Sequence, residues 1–276
     1  MLIGIFEHQY SRFGEMIRSL SHAMNFEVRL VTSLNDFVAD SMDGLVLEGN
    51  ELSSAELAEA LKRFHSILVL DSERAFSLIT PTLASLADES SVELMVAGPP
   101  SIPDVFELLS TKISSPYYVR IIKEVCDIAS LNFGSLYDAI YWNAFFAEAE
   151  IGKIKVKALP ALELGGMILY GRTESVAGSP VDIWYSNVGF AEVNLVRLFV
   201  QDAAAEVDCI TRECRMRVAG GDEIKMQMNS NADYHVYVES FIRRIQGNFD
   251  RSSNISAWQF IRLKELYEQV QQNLSL

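Results

Sequence analysis

The sequence predicts a two-domain α/β protein, in which a doubly wound parallel sheet is followed by an α+β domain with a large, mostly antiparallel open sheet. Two patterns indicate this fold. Residues 1–116 alternate short apolar runs with helical segments, which is typical of a parallel sheet covered on both faces. Residues 117–276 contain longer β-rich runs bounded by Gly and Pro, and then two helical segments, which favours antiparallel pairing.

The first domain contains five predicted strands and four predicted helices. The strands are Leu2 to Phe6, Glu27 to Thr32, Gly44 to Leu47, Ile67 to Leu70 and Glu93 to Val96. The helices are Arg12 to Met24, Ser54 to Phe64, Phe76 to Ala87 and Pro103 to Leu109. Doubly wound domains bind ligands beyond the carboxyl ends of their strands. The loops that follow the strands are therefore the predicted site.

The second domain is predicted from six β-rich runs and two closing helices. The runs are Tyr117 to Cys126, Ile154 to Leu164, Met167 to Thr173, Val181 to Asn187, Val193 to Phe199 and Ala205 to Thr211. The helices are Tyr234 to Arg244 and Ser256 to Asn273. Apolar residues at three-to-four spacing support both helices.

Composition excludes several classes of function. The chain has 37 acidic and 23 basic residues and a formal charge of −14, so it would repel a phosphate backbone and nucleic acid is not an expected partner. Its three cysteines, Cys126, Cys209 and Cys214, show neither a disulfide framework nor the spacing of a zinc site. We expect no metal, no membrane span and a cytoplasmic location.

Several short stretches, taken in order, resemble one family of enzymes. They are Asp43-Gly44-Leu45-Val46-Leu47, Ala55-Glu56-Leu57, Ile67-Leu68-Val69, Val92-Glu93-Leu94-Met95-Val96, Gly134-Ser135-Leu136-Tyr137-Asp138 and Phe241-Ile242-Arg243-Arg244-Ile245. This set resembles the glucose-fructose oxidoreductase and inositol dehydrogenase family (Gfo/Idh/MocA). The resemblance implies a Rossmann-type domain, a nicotinamide cofactor, and a second-domain sheet that pairs subunits.

The residues that carry the chemistry of that family are replaced in this chain. Glycines let the backbone turn tightly and approach a pyrophosphate, but the three glycine positions fall on Glu7, Gln9 and Arg12. The Glu7 carboxylate would be repelled by phosphate, by about 1 to 4 kcal/mol at about 4 Å. Leu70-Asp71-Ser72 stands where the family has Glu-Lys-Pro, and Trp142 stands near the position of its histidine.

These losses make a catalytically degenerate oxidoreductase-like protein the leading interpretation. Such a protein would bind a partner protein or a small ligand in the interdomain cleft and could assist a biosynthetic enzyme. No cofactor is then expected. The resemblance also implies a homodimer formed through the second-domain sheet.

The alternative is an active, noncanonical NAD(P)-dependent oxidoreductase acting on a sugar-like or other small molecule. Its candidate proton-transfer residues are His8, Asp138 and Tyr141. Its candidate cofactor contacts are Glu7, His8, Gln9, Thr32, Ser33, Gly49, Asn50 and Asp71. A metabolite-binding module is the second alternative. Structural roles are expected for the three remaining histidines, which are His22, His65 and His235.

Overall fold

A computed structural model describes residues 1–6, 13–31, 42–48, 52–98, 118–125, 155–161, 166–174, 180–188, 191–227, 234–248 and 254–274. The chain divides into two compact units. The first comprises Met1–Pro100 and Asp233–Ile261, and the second comprises Ser101–Ala232 and Arg262–Leu276.

The first unit is built on a parallel sheet. Its strands are β1 (Leu2–Phe6), β2 (Glu27–Val31), β3 (Gly44–Glu48), β4 (Ser66–Leu70) and β5 (Glu93–Val96), in the spatial order β5-β4-β3-β1-β2. Its helices in this part of the chain are α1 (Phe13–Met24), α2 (Ser54–Ala60), α3 (Ser72–Leu78) and α4 (Pro81–Glu89). All five residues of β4 are buried, as a central strand covered on both faces requires. The predicted helix Pro103 to Leu109 lies outside the described residues.

The predicted single helix from Phe76 to Ala87 was wrong, because two helices occupy this segment. Helix α3 ends at Leu78 and α4 begins at Pro81. The Thr80 side chain accepts a hydrogen bond from the Leu83 amide at 3.3 Å, and Pro81 occupies the first turn. Proline lacks an amide hydrogen and is tolerated only at a helix start, so a new helix starts there.

The second unit contains an eight-stranded, mostly antiparallel sheet. Its strands are β6 (Tyr118–Glu124), β7 (Lys155–Ala161), β8 (Gly166–Glu174), β9 (Pro180–Ser186), β10 (Val193–Val200), β11 (Ala203–Asp208), β12 (Glu213–Val218) and β13 (Glu223–Gln227). Their order is β13-β12-β11-β10-β6-β9-β8-β7, with only β6 and β9 paired in parallel among them. Strands β12 and β13 were not predicted. Gly220, at φ 74°, lies in the turn between them.

The last described elements are α5 (His235–Ile245), β14 (Ile255–Ser256) and α6 (Ala257–Leu274). Strand β14 pairs antiparallel with β5, and Ile255 lies opposite Val96. Residues 233–261 belong to the first unit, whereas the predicted division at residue 116 assigns them to the second domain. Tertiary packing of α5 and β14 on the parallel sheet accounts for this difference.

Candidate functional site

The parallel sheet has a topological switch point beside β1. From β1 the chain moves to β2 on one side, and β3 then pairs with the other side of β1. The last residue of β1, Phe6, is in register with Val31 of β2 and with Leu47 of β3. The carboxyl ends of the three strands therefore lie at one edge of the sheet, the carboxyl edge. Open α/β sheets bind their ligands outside this edge, at the switch point.

Most of the predicted site residues follow these strand ends but lie outside the described residues. They are Glu7, His8, Gln9, Thr32, Ser33, Gly49 and Asn50. Asp138 and Tyr141 of the second unit also lie outside them. What the structure places at the carboxyl edge is the last residue of each preceding strand, Phe6, Val31 and Glu48. The roles of the residues outside the described ranges remain predictions.

Asp71 is the one predicted contact residue that the structure describes. It directly follows β4, is half-buried, and has a left-handed backbone with φ 61°. Its carbonyl oxygen accepts a hydrogen bond from the Ala75 amide at 3.0 Å, so Asp71 opens α3. Aspartate tolerates this conformation better than most residues. The lysine that the family resemblance implies at this point of the edge is replaced by a residue that begins a helix.

Six residues separate the end of β1 from the start of helix α1, which has Gly14 as its second residue. The free amides of a helix start carry a partial positive charge and bind anions. Glu15 stands in the same first turn and is exposed, and its carboxylate opposes an anionic ligand there. A helix start therefore follows β1 in the chain, and the charge of Glu15 makes this start less favourable for an anion.

Helix α5 crosses the sheet with both ends fixed. At its carboxyl-terminal end, Arg244 forms an ion pair with Glu93, the first residue of β5, and Gln246 Nε2 donates to the Met24 carbonyl at 3.4 Å. Near its start, the Tyr237 carbonyl accepts a hydrogen bond from Asn254 Nδ2 at 2.8 Å. Asn254 directly precedes β14, beside the carboxyl end of β5. The first turn of α5 therefore lies at the carboxyl edge of the sheet.

Within the described ranges, no three His, Cys, Asp or Glu side chains come together as a metal-binding group. Nor is any described helix both long enough and apolar enough to cross a membrane.

The eight-stranded sheet of the second unit has one buried and one exposed face. The buried face carries Val119, Ile121, Val181, Ile183, Val196, Leu198 and Val207. On the other face, charged residues of seven neighbouring strands lie in one register row, the charged row. It consists of Lys225, Arg215, Glu206, Arg197, Arg120, Asp182 and Arg172.

Asp182 is the buried anion of this charged row, with 6% of its surface exposed. Arg172 binds its two carboxylate oxygens at 2.6 and 2.9 Å, and the hydroxyls of Tyr118 and Tyr170 donate to them at 2.7 and 3.2 Å. Burial alone would raise the pKa of Asp182, but the hydrogen bonds from Arg172 and the two tyrosines outweigh it and lower that pKa. Burial and the same carboxylate raise the pKa of Tyr118.

A shallow groove of about 450 Å³ lies on the same unit. Three arginines in it are paired with glutamates of the sheet: Arg197 with Glu206 at 2.6 Å, Arg215 with Glu213 at 2.6 Å, and Arg217 with Glu223 at 3.2 Å. Exposed pairs of this kind contribute little to stability. The groove is therefore a mixed-charge surface rather than an anion site with free cations.

The sequence matches no model of a known protein family, and no curated protein sequence matches it significantly. Its fold, however, matches solved structures along the whole chain. UDP-N-acetylglucosamine 3-dehydrogenase GnnA from Acidithiobacillus ferrooxidans is 14% identical, with a TM-score of 0.65 and 99% of this chain and 97% of that one covered. A dehydrogenase from Chromobacterium violaceum is 12% identical, with a TM-score of 0.68 and coverage of 100% and 97%.

Biliverdin reductase from Synechocystis, solved in complex with biliverdin and NADP⁺, is 13% identical, with a TM-score of 0.61 and coverage of 100% and 99%. These similarities confirm both parts of the predicted fold, a Rossmann-type sheet followed by an antiparallel-rich sheet. The chain thus has the fold of the Gfo/Idh/MocA oxidoreductases, as the sequence resemblance implies. At such low identities the likeness concerns the fold.

Proposed function

We propose that this chain is a nicotinamide-dinucleotide-dependent oxidoreductase whose phosphate-binding loop uses backbone amides without the usual glycines. The observation that carries this proposal is the combination of an intact switch point with whole-chain similarity to dehydrogenases. One of the similar structures contains NADP⁺. This favours the active alternative over the degenerate interpretation, although the sequence replacements remain the main argument for the latter.

The residues available to hold the dinucleotide belong to the carboxyl edge of β1 and β3. The pyrophosphate would lie at the start of α1, where Gly14 has no side chain. Backbone amides of residues 7–11 and of Gly49 and Asn50 would complete the contacts. When bound, the dinucleotide supplies hydride transfer, and the protein has to orient the substrate, exclude water and supply a proton donor or acceptor.

Adding a negative charge at different positions of α1 tests whether the dinucleotide binds at the start of this helix. Gly14→Glu adds a carboxylate to the first turn of α1 and should raise the Kd for NADPH about tenfold or more, because like charges at about 4 Å repel by about 1 to 4 kcal/mol. Binding is measured by quenching of intrinsic fluorescence. Ser19→Glu, at an exposed position further along the same helix, adds the same net charge and should change the Kd much less.

Denaturation of both variants shows whether each is folded. Equal losses of affinity in the two folded variants would mean that only net charge matters, and would place the dinucleotide away from the start of α1.

The second candidate function, favoured by the loss of the fingerprint glycines at Glu7, Gln9 and Arg12, is a degenerate protein that binds a partner enzyme or a metabolite. It predicts no saturable binding of either nicotinamide dinucleotide. Capture of a biosynthetic enzyme from the native host would then support the partner interpretation, and binding of a sugar nucleotide would support the metabolite-binding module.

We also propose that two copies of the chain pair through the exposed face of the eight-stranded sheet. This face combines the charged row with the exposed rings of Tyr170 and Phe199, and its mixture of both signs of charge is compatible with self-association about a two-fold axis. A pair of this kind would cover the aromatic rings and desolvate the charged row.

Reversing a central charge of the row tests this pairing. Arg120 is exposed on β6, in the middle of the sheet, and Arg120→Glu should weaken dimerisation about tenfold or more. Sedimentation equilibrium measures the association constant. Arg18→Glu, an equal change at an exposed position of the first unit, should leave it unchanged. A monomeric wild-type protein, or equal effects of the two variants, would contradict the proposal.

A further inference from the structure

Strand β13 is the outermost strand on one side of the eight-stranded sheet, among the residues that the structure describes. Four of its five residues are exposed, and Met226 is half-buried. Ile224 has 41% of its surface exposed, and so has Val218 at the end of the neighbouring β12. An exposed strand at the edge of a sheet presents amide and carbonyl groups that can pair with a further strand.

The hydrogen bonds of the neighbouring strands show which backbone groups of β13 face this edge. The amide of Ala219, directly after β12, donates to the carbonyl of Asp202, directly before β11, at 2.7 Å. Successive residues of a strand point their backbone groups to opposite sides, so the alternate residues of β12 bond to β13. Ile224 is in register with one of these and bonds to β12. The backbone groups of Glu223 and Lys225 therefore point to the free edge.

The sequence of β13 is complementary to itself in one antiparallel register. When two copies of the strand meet about a two-fold axis at Ile224, Glu223 of each copy lies opposite Lys225 of the other. Each of these two pairs also exchanges two backbone hydrogen bonds, because the backbone groups of both residues face the edge. The two Ile224 side chains then meet at the closer, non-hydrogen-bonded position between the pairs. An axis at Lys225 would instead place two lysines opposite each other, which is unfavourable.

The charged side chains of β13 are accessible to a second copy. The Lys225 side chain is 61% exposed, and its Nζ lies 3.9 Å from Glu223 Oε1. The other carboxylate oxygen of Glu223 pairs with Arg217, whose side chain is 72% exposed, at 3.2 Å. A lysine on an edge strand usually prevents pairing with a further strand. In the register centred on Ile224, each lysine instead meets a glutamate.

We propose that the free edge of β13 binds the same edge of a second copy of this chain, antiparallel and centred on Ile224, so that the two sheets become continuous. The occupant is a second copy because the charge pattern of the strand matches itself, which makes the interface isologous. This interface needs no dinucleotide, and it uses the edge of the sheet rather than its exposed face. Its failure would therefore leave the earlier proposals standing.

Charge reversal at two positions, in single variants and in their mixture, tests this register. All measurements use the Arg120→Glu protein as the parent, so that pairing through the exposed face does not contribute. Glu223→Lys places lysine opposite lysine, and Lys225→Glu places glutamate opposite glutamate, so each should weaken dimerisation about tenfold or more. Mixing the two variants recreates both opposite-charge pairs and should restore the association of the parent. Sedimentation equilibrium measures the association constants.

Arg18→Glu and Glu89→Lys, at exposed positions of the first unit, are the matched control pair and should leave association unchanged, alone and mixed. Urea denaturation shows whether each variant is folded. Hydrogen exchange of the parent gives a readout that needs no further variant. The amides of Glu223 and Lys225 should become protected as the protein concentration rises, because they donate across the interface.

Association that is weakened in both single variants and restored in their mixture is the expected result. Single variants that associate as tightly as the parent, or a mixture no tighter than either variant alone, would overturn the proposal. A monomeric parent whose Glu223 and Lys225 amides exchange equally fast at every concentration would also overturn it, and would leave the edge to an extended segment of another protein.

Discussion

Replacement of Phe241 by alanine is expected to lower the free energy of unfolding by about 3–5 kcal/mol, the usual cost of truncating a buried aromatic residue. The ring is fully buried in the middle of α5. A Cβ atom on Gly44, at the start of β3, would lie 3.0 Å from Phe241 Cζ and 2.6 Å from Ile245 Cδ1. Phe241 thus occupies the space that glycine leaves on the sheet, and its loss opens a cavity that α5 cannot easily fill.

Urea denaturation measures this loss, and Arg243→Ala is the matched control on the exposed side of the same helix. The control removes an i,i+4 ion pair with Glu239, which contributes about 0.2–0.5 kcal/mol. A Phe241→Ala variant no less stable than the control would contradict the packing of α5 on the parallel sheet.

Replacement of Asp182 by asparagine should cost about 2 kcal/mol at pH 7. Hydrogen bonds to a charged group contribute about 1.5–3 kcal/mol, and we expect less than the sum because the Arg172 side chain is 58% exposed. The neutral amide keeps the size of the side chain but removes the negative charge of the carboxylate. That carboxylate accepts two hydrogen bonds from the Arg172 guanidinium and one from each of the two tyrosine hydroxyls. Guanidinium chloride denaturation of the folded variant gives the difference.

This difference should depend on pH. The pKa of Asp182 is lowered in the folded protein, so the unfolded chain binds this proton first as the pH falls below the ordinary aspartate value of about 3.9. The stabilisation is therefore fully present above that pH and is lost as the pH falls through the folded-state pKa. Asp202→Asn, in the exposed turn after β10, is the control. A gap between wild type and Asp182→Asn that stays constant from pH 7 to about 3 would contradict this account of the network.

The parallel sheet could be predicted because its strands are buried on both faces. Runs such as Ile67 to Leu70 are continuously apolar and are bounded by polar residues, because a strand that is buried on both faces needs apolar side chains at every position. Such a strand can be recognised from the sequence alone. The division of the helix at Pro81 had a local signal, the Thr80-Pro81 pair, which combines a capping side chain with a residue that cannot continue a helix.

Strands β12 and β13 were missed because they lie at an exposed edge of their sheet. Glu213 to Val218 alternates charged residues with Cys214, Met216 and Val218, which is a period of two. Cys214 and Met216 are buried, whereas Arg215 and Arg217 are exposed. The alternation was the signal that could have revealed these strands.

The contribution of α5 to the first unit could not be read from the order of elements. Residues 233–261 follow the second sheet in the chain yet pack on the first, because Phe241 fits against Gly44 and Arg244 pairs with Glu93. These contacts join positions about 150 to 200 residues apart, which periodicity cannot detect. The predicted site residues that follow Phe6, Val31 and Glu48 remain predictions.

The most direct test of the central claim is a calorimetric titration of the purified protein with NADPH and with NADH. We expect saturable binding of at least one of them with one site per chain, and a gain of about 2.7 kcal/mol in unfolding free energy at 100 times the Kd. No heat of binding and no stabilisation with either dinucleotide would contradict the oxidoreductase function and would support a protein that keeps the fold but has lost the cofactor.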